Sequence, residues 1–309
     1  MARALCACLL ATTLLVWAGA AAALRVEDDA GHVLALARPA RRIVSLAPGL
    51  TELLFAIGAG PRLVGTVAYS DWPPAARRLP RLGDAFHLDS ERLLALRPDL
   101  VVIWGSVTPQ GQRDRLQQLH LPLFLAEPRH LAEIPGLMQR LGRLAGVADR
   151  AAAVARAFSR QVTALRRTHA GARRLRVFYQ LGLRPLMTLG GGRIIDDLLA
   201  LCGGRSVFAG LTAPAAQVSA EAVVAARPDV IVYARDAAQT PAAVTAFWRR
   251  RYPPPLPPRV GVPADQVDRA GPRLLQGAEA ICRGLDRVRG LRGATPGSPA
   301  AGGDPPGHR

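Results

Sequence analysis

Glu91-Arg-Leu-Leu-Ala-Leu-Arg-Pro-Asp-Leu-Val-Val-Ile103 is written a second time as Glu221-Ala-Val-Val-Ala-Ala-Arg-Pro-Asp-Val-Ile-Val-Tyr233. Each copy reads as one supersecondary unit. Asp89 or Ser219 caps a helix start, the Glu falls in the first turn, Pro98 or Pro228 ends the helix, and a β-branched run follows as a buried strand. Two such units predict two similar α/β lobes, and chains of that kind work at the cleft between them.

Working outward, the same alternation of strand and helix continues on both sides. Arg25 to Ala37 reads as a hairpin turning at Asp29-Ala-Gly31, and Arg42-Ile-Val-Ser-Leu46 as a buried strand running into a helix that ends at Gly58 and Gly60. Leu63 to Thr66 is the next strand, and Tyr69-Ser-Asp-Trp-Pro-Pro74 is a loop because its two prolines exclude helix and central strand. Gln110 to His120 and Leu121 to Leu125 add a helix and a strand to the first lobe, residues 24–130. Residues 131–170 are helical with a break near Gly146-Val-Ala-Asp149, and predict a stiff connector. The second lobe, residues 171–290, opens on Arg176-Val-Phe-Tyr-Gln180, has a helix from Ile194 to Leu201, and closes on a helix from Pro272 to about Arg287. Residues 291–309 are mostly Gly, Pro, Ala and Ser and lack the apolar content to fold.

Met-Ala-Arg3, an apolar run from Leu5 to Gly19 and Ala20-Ala-Ala-Ala23 have the three regions of a secretory signal peptide, residues 1–23; a membrane anchor is the alternative. Removing it leaves Cys202 and Cys282, an even pair in an oxidising compartment, which predicts a disulfide; two separate buried thiols are the alternative. The net charge of +17 comes with no lysine at all. The arginines are scattered beside leucines at helical spacing and no basic run interleaves with aromatics, so nucleic acid is not the expected partner. The six His are dispersed, which places His87, His120 and His130 on the surface rather than at a metal, and no metal site is expected.

Sequence signatures of catalysis are absent: there is no Gly-x-Ser-x-Gly, His-Glu-x-x-His or phosphate loop. Gly190-Gly-Gly192 could hold an anion at a helix start or form a tight turn. What the chain does offer is Tyr69, Trp72 and Trp104 at or after strand ends, where ligands of open α/β sheets collect, and a charged loop from Asp265 to Arg269. That set suits a bulky ligand with apolar faces and amide or phosphate edges.

Arg42-Ile-Val-Ser-Leu-Ala-Pro48 with Thr51-Glu-Leu53, Tyr69-Ser-Asp-Trp-Pro-Pro74, Glu91-Arg92 with Arg97-Pro-Asp99, and Cys202-Gly-Gly204 together resemble the periplasmic substrate-binding proteins of ABC importers for cobalamin, siderophores and haem. The similarity runs from about Arg41 to Arg287. It implies a fold of two Rossmann-like α/β lobes joined by a single long helix, and a monomer in the periplasm. Such a protein captures cobalamin or a related corrinoid as transported ligand, with no cofactor, and delivers it to an ABC transporter permease dimer in the inner membrane. Carried over by position, Tyr69 and Trp104 would face the ligand from the first lobe and Asp265, Gln266, Val267, Asp268 and Arg269 from the second. Cys202 and Cys282 match the family's disulfide, and Glu91 and Glu221 its paired permease-docking carboxylates; by themselves these two are first-turn residues favoured by the helix dipole. Ala85 beside Phe86, Met187, Ala215, Gln266 and Val267 stand where cobalamin-binding members carry large cleft aromatics. Haem, with Tyr69 as iron ligand, and a ferric siderophore are the alternative ligands. A two-lobed enzyme such as a glycosyltransferase is the alternative from another class.

Overall fold

The computed structural model describes residues 23–84 and 87–293. Residues 1–22 of the expected signal peptide, Ala85 and Phe86, and residues 294–309 of the expected tail lie outside the described residues.

The first lobe opens with the antiparallel hairpin β1 (Leu24–Glu27) and β2 (Val33–Leu36). It continues with β3 (Ile43–Ser45), α1 (Pro48–Ala56), β4 (Leu63–Thr66), α2 (Ser90–Ala95), β5 (Leu100–Trp104), α3 (Gln110–Gln118), β6 (Leu123–Ala126) and α4 (Ile134–Leu144). Strands β4-β3-β5-β6, in that order, form a parallel sheet. Helix α5 (Ala148–Thr168) leads to the second lobe. There β7 (Leu175–Gln180), β8 (Gly182–Leu183), β9 (Leu186–Leu189), α6 (Ile194–Leu201), β10 (Gly204–Ser206), β11 (Ala215–Gln217), α7 (Ala220–Ala225), β12 (Val230–Arg235), α8 (Pro241–Arg249), β13 (Arg259–Pro263) and α9 (Leu274–Gly293) follow. Its parallel sheet has the order β10-β7-β12-β13, and β11-β9-β8 form a small antiparallel sheet beside it.

The repeated phrase builds the same unit twice. Asp89 accepts the Arg92 N–H at 2.9 Å and Ser219 the Ala222 N–H at 3.1 Å, capping α2 and α7. Both helices end before the proline, with Arg97 and Arg227 in the left-handed region at φ 43° and 44°. That conformation is unfavourable for a side-chain-bearing residue, and the following Asp holds it in place. Asp99 accepts the Arg41 and Arg42 N–H groups at 2.8 to 3.0 Å, and Asp229 accepts the Arg176 N–H at 2.7 Å. Arg42 and Arg176 return the contact, donating to the helix-end carbonyls of Leu96 and Ala226.

Alternate residues of the two phrase strands then divide between two faces, as period-two geometry requires. In β5, Leu100 and Val102 join Leu50, Leu53 and Leu137, while Val101 and Ile103 join Leu93 and Leu116. In β12, Val230 and Val232 share the first of these clusters, and Ile231 and Tyr233 pack with Phe178 and Trp248. One apolar cluster therefore runs through both lobes by way of Ala151, Ala155 and Phe158 of α5.

Two boundaries differ from the sequence reading. The helical stretch 131–170 breaks at Gly146, at φ 57°, where the sequence places the break, but only its second half connects the lobes. Helix α4 buries Ile134, Leu137, Met138, Leu141 and Leu144 in the first lobe, so the rod between lobes is α5 alone, about 30 Å long. The two pack closely: a Cβ on Gly142 would lie 2.2 Å from that of Ala151. At the other end, α9 continues through Gly290 to Gly293, so the tail does not begin at residue 291. A single interior glycine costs about 1 kcal/mol and does not stop a helix docked along its length. Cys202 and Cys282 form the disulfide, joining the end of α6 to α9. No described helix is long and apolar enough to cross a membrane.

Candidate functional site

A cavity of about 480 Å³ opens between the lobes at the carboxyl ends of the parallel strands. From the first lobe it is lined by Ala47, Pro48 and Gly49 after β3, by Trp104, Ser106 and Val107 at the end of β5, and by Glu127, Pro128 and Arg129 after β6. The second lobe supplies Leu181, Leu189, Arg193, Ile194, Ile195, Pro214 and Ala215, then Val267, Asp268, Arg269, Ala270 and Leu274. Its walls are mostly apolar with a few convergent charges, the composition expected of a pocket for a large, mainly apolar ligand. A second cavity, of about 630 Å³, lies along α5, lined by Phe158, Val162 and Arg166, by Arg174 and Gly203 just before β7 and β10, and by His130 and Asp197.

Trp104 presents the one aromatic ring of the 480 Å³ cavity among the described residues. Its indole N–H donates to Ser106 Oγ at 3.1 Å, and Ser106 N–H donates to Glu127 at 2.6 Å, which fixes the turn that carries the ring. Of the residues carried over by resemblance, Trp104, Val267, Asp268 and Arg269 line this cavity. Tyr69 does not: it is 77% exposed, at φ 63°, in the loop after β4. Asp265 faces Arg273 and Gln266 donates to Gln276 at 3.4 Å, and neither lines the cavity. Met187 lies in β9, and of the expected aromatic replacements Ala215 and Val267 reach the wall.

Asp268 is the cavity's unusual acid. Burial pushes its pKa up to about 6; the 2.7 Å hydrogen bond from Tyr179 works against this, and the neighbouring charges of Asp236 and Asp265 reinforce it. Tyr179 is itself raised well above the usual phenol range, by burial and then by the Asp268 charge.

The sequence reading missed how the lobes meet. Glu52 of α1 is 1% exposed and accepts from Arg269 Nη1 at 2.9 Å and from Arg273 Nε and Nη2 at 2.8 and 2.7 Å. Arg269 also reaches Asp71 at 3.0 Å, and the Arg273 guanidinium lies 5.1 Å from the centre of the Trp72 ring. Burial opposes the charged form of Asp71, but the hydrogen bond and charge of Arg269 hold its pKa below the usual carboxylate value. The hydrogen bonds that Arg273 donates to Glu52 raise its pKa above its ordinary value despite burial. Beneath them the buried hydroxyls of Ser45, Thr51, Thr66 and Ser70 form a chain, with Thr51 to Thr66 and Thr66 to Ser70 both at 2.8 Å. That chain ties the Tyr69-to-Pro74 loop to α1, so Glu52 and Asp71 face the second lobe together. Thr51-Glu52 and Ser70-Asp71-Trp72 were visible as motifs; Arg273 carried no signal.

Glu91 and Glu221 are both exposed in the first turns of α2 and α7. Hydrogen bonds from its own N–H and from the Ser219 hydroxyl lower the Glu221 pKa. Among the described residues, no group of three His, Cys, Asp or Glu is placed to hold a metal ion.

Known proteins resemble this chain in sequence and in fold. A family of periplasmic binding proteins matches residues 43–250. The vitamin B12-binding protein of Yersinia pestis is 35% identical over 252 residues, covering 82% of this chain and 89% of its own. The crystal structure of the periplasmic vitamin B12 binding protein of Vibrio cholerae superposes with a TM-score of 0.71 at 31% identity, covering 81% of this chain and 98% of that one. A periplasmic haem-binding protein solved with two haems gives a TM-score of 0.66 at 25% identity, covering 80% and 98%. Fold and sequence agree, and the chain belongs to the periplasmic binding protein family.

Proposed function

We propose that this is an exported, non-enzymatic binding protein that captures cobalamin or a related corrinoid between its lobes and delivers it to an ABC permease. The observation that carries the reading is the cavity at the strand ends, with Trp104 on one wall and Leu181, Leu189, Ile194, Val267 and Leu274 on the other. A corrin ring is wide and apolar on its faces and bears amides at its edge. Trp104 and the aliphatic wall suit the faces; Ser106, Arg129 and Asp268 suit the amides. The 35% identity to a vitamin B12-binding protein supports the same ligand.

Haem is the rival suggested by the haem-binding relative. Among the described residues lining the cavity there is no His, Tyr, Cys or Met to ligate its iron, and Tyr69 stands exposed outside. A corrinoid brings its own axial ligands, so this lining favours it. Export rests on the signal-like residues 1–23. Docking to a permease dimer rests on Glu91 and Glu221, one exposed carboxylate per lobe on equivalent helices, with the protein acting as a monomer.

Parallel calorimetry with cyanocobalamin, hemin and a ferric siderophore tests the reading. The expected result is one cyanocobalamin per chain with the tightest binding of the three. Hemin binding with no heat from cyanocobalamin would end the corrinoid assignment, and turnover of a nucleotide sugar would favour a transferase.

A further inference from the structure

We infer that Glu52 is a positioning residue: it clasps the lobes together across the cleft, and it competes with anionic ligand groups for Arg269. Glu52 belongs to the first lobe, and both of its guanidinium partners belong to the second. The carboxylate is 1% exposed, so water competes poorly for these bonds. At the same seam the backbones nearly touch, since a Cβ on Gly49 would lie 3.2 Å from the Ala270 nitrogen. Arg269 and Ala270 also line the ligand cavity, so the clasp sets where that wall stands.

The charges have a consequence for selectivity. Glu52, Asp71 and Asp265 face Arg269 and Arg273, three carboxylates against two guanidiniums. Arg269 Nη1 is shared between Glu52 and Asp71, and the cluster as a whole carries one more carboxylate than guanidinium. It therefore works against the attraction that Arg129 and Arg193 of the same cavity exert on a ligand's free carboxylates, such as the propionates of haem, and leaves a ligand edged with amides unaffected. This selectivity rests on the corrinoid reading; the clasp does not.

Hydrogen exchange on the ligand-free protein tests the clasp. Glu52→Gln, nearly isosteric, should speed amide exchange about tenfold in residues 264–274 of the opposite lobe. Arg273→Gln should do the same for residues 47–53, and the double variant should exceed neither single by more than about twofold. No change across the cleft in either single variant, or effects that multiply in the double, would overturn the clasp. Arg273→Gln keeps the test usable if Glu52→Gln fails to fold.

Selectivity is read as the ratio of hemin to cyanocobalamin affinity. A unit charge about 12 Å away at an effective dielectric of about 20 changes an affinity about tenfold. The ratio should rise about tenfold in Glu52→Gln, fall about tenfold in Arg273→Gln, and return to the wild-type value in the double variant. A ratio indifferent to all three would overturn the charge argument. Failure of the corrinoid reading shows separately, as wild-type protein that does not bind cyanocobalamin while the exchange results stand.

Discussion

The two copies of the repeated phrase agree in everything that builds the fold and differ where the ligand would sit. Both have a capped first turn with an exposed Glu, a left-handed Arg, and an Asp that braces the start of a neighbouring strand. At the strand ends they part. The residue after Ile103 is Trp104, in the cavity wall; the residue after Tyr233 is Ala234, which is 1% exposed and packed in the core. The first lobe thus presents a ring on the end of its repeat strand. The second presents the loop after β13, from Val267 to Ala270. The scaffold is duplicated and the recognition surface is not.

The largest effect should come from a feature the copies share. If both exposed glutamates dock a permease, Glu91→Ala with Glu221→Ala abolishes uptake of labelled cobalamin in cells and leaves its affinity for the purified protein unchanged. A loss of affinity would show that the carboxylates act elsewhere. Next in size is the feature they do not share: Trp104→Ala should weaken cyanocobalamin binding about thirtyfold, about 2 kcal/mol of aromatic contact, by calorimetry. Ala234→Ser, at the equivalent strand end, should leave affinity within about twofold.

The braces sharpen the comparison at the level of stability. Removing Asp99, which holds the Arg41 and Arg42 N–H groups, should cost about 2 to 3 kcal/mol in urea unfolding, and Asp229→Ala, which releases the Arg176 N–H, a comparable amount. A cost several-fold smaller at one site than at the other would show that the two units do not share the brace. The smallest effect concerns Asp268, whose folded pKa of about 6 stands above the ordinary 3.8. The folded protein keeps a proton that the unfolded chain has released, so this contribution is full below about pH 4 and is lost as pH rises through about 6. Wild-type stability should therefore fall by up to about 2 kcal/mol over that window relative to Asp268→Asn, measured by urea unfolding at each pH. A difference that does not vary with pH would remove the buried-acid interpretation.

Much of the fold was legible because its signals are local. Caps, prolines and β-branched runs lie within a few residues of what they determine, and both repeat units follow from them. The small sheet β11-β9-β8 was not legible, because its strands of two to four residues carry no periodic pattern. The braces were hidden for a different reason: Asp99 meets Arg42 from 57 residues away. The same holds more strongly for the seam between lobes, where Glu52 and Arg269 are 217 positions apart. Resemblance marked Arg269 as a ligand contact, and the structure places it in the cavity wall while engaged by Glu52 and Asp71. Tyr69 shows the limit of reading a loop: its prolines gave its conformation, and its direction toward solvent depends on the hydroxyl chain beneath Ser70.

The central claim is that recognition sits where the two copies diverge, and a crystal structure of the complex with cyanocobalamin tests it most directly. The account predicts the corrin face against Trp104, its amide edge toward Ser106 and Asp268, and the loop Val267 to Ala270 on the opposite wall. Cyanocobalamin bound instead in the cavity along α5, or bound between the lobes without touching Trp104, would contradict it.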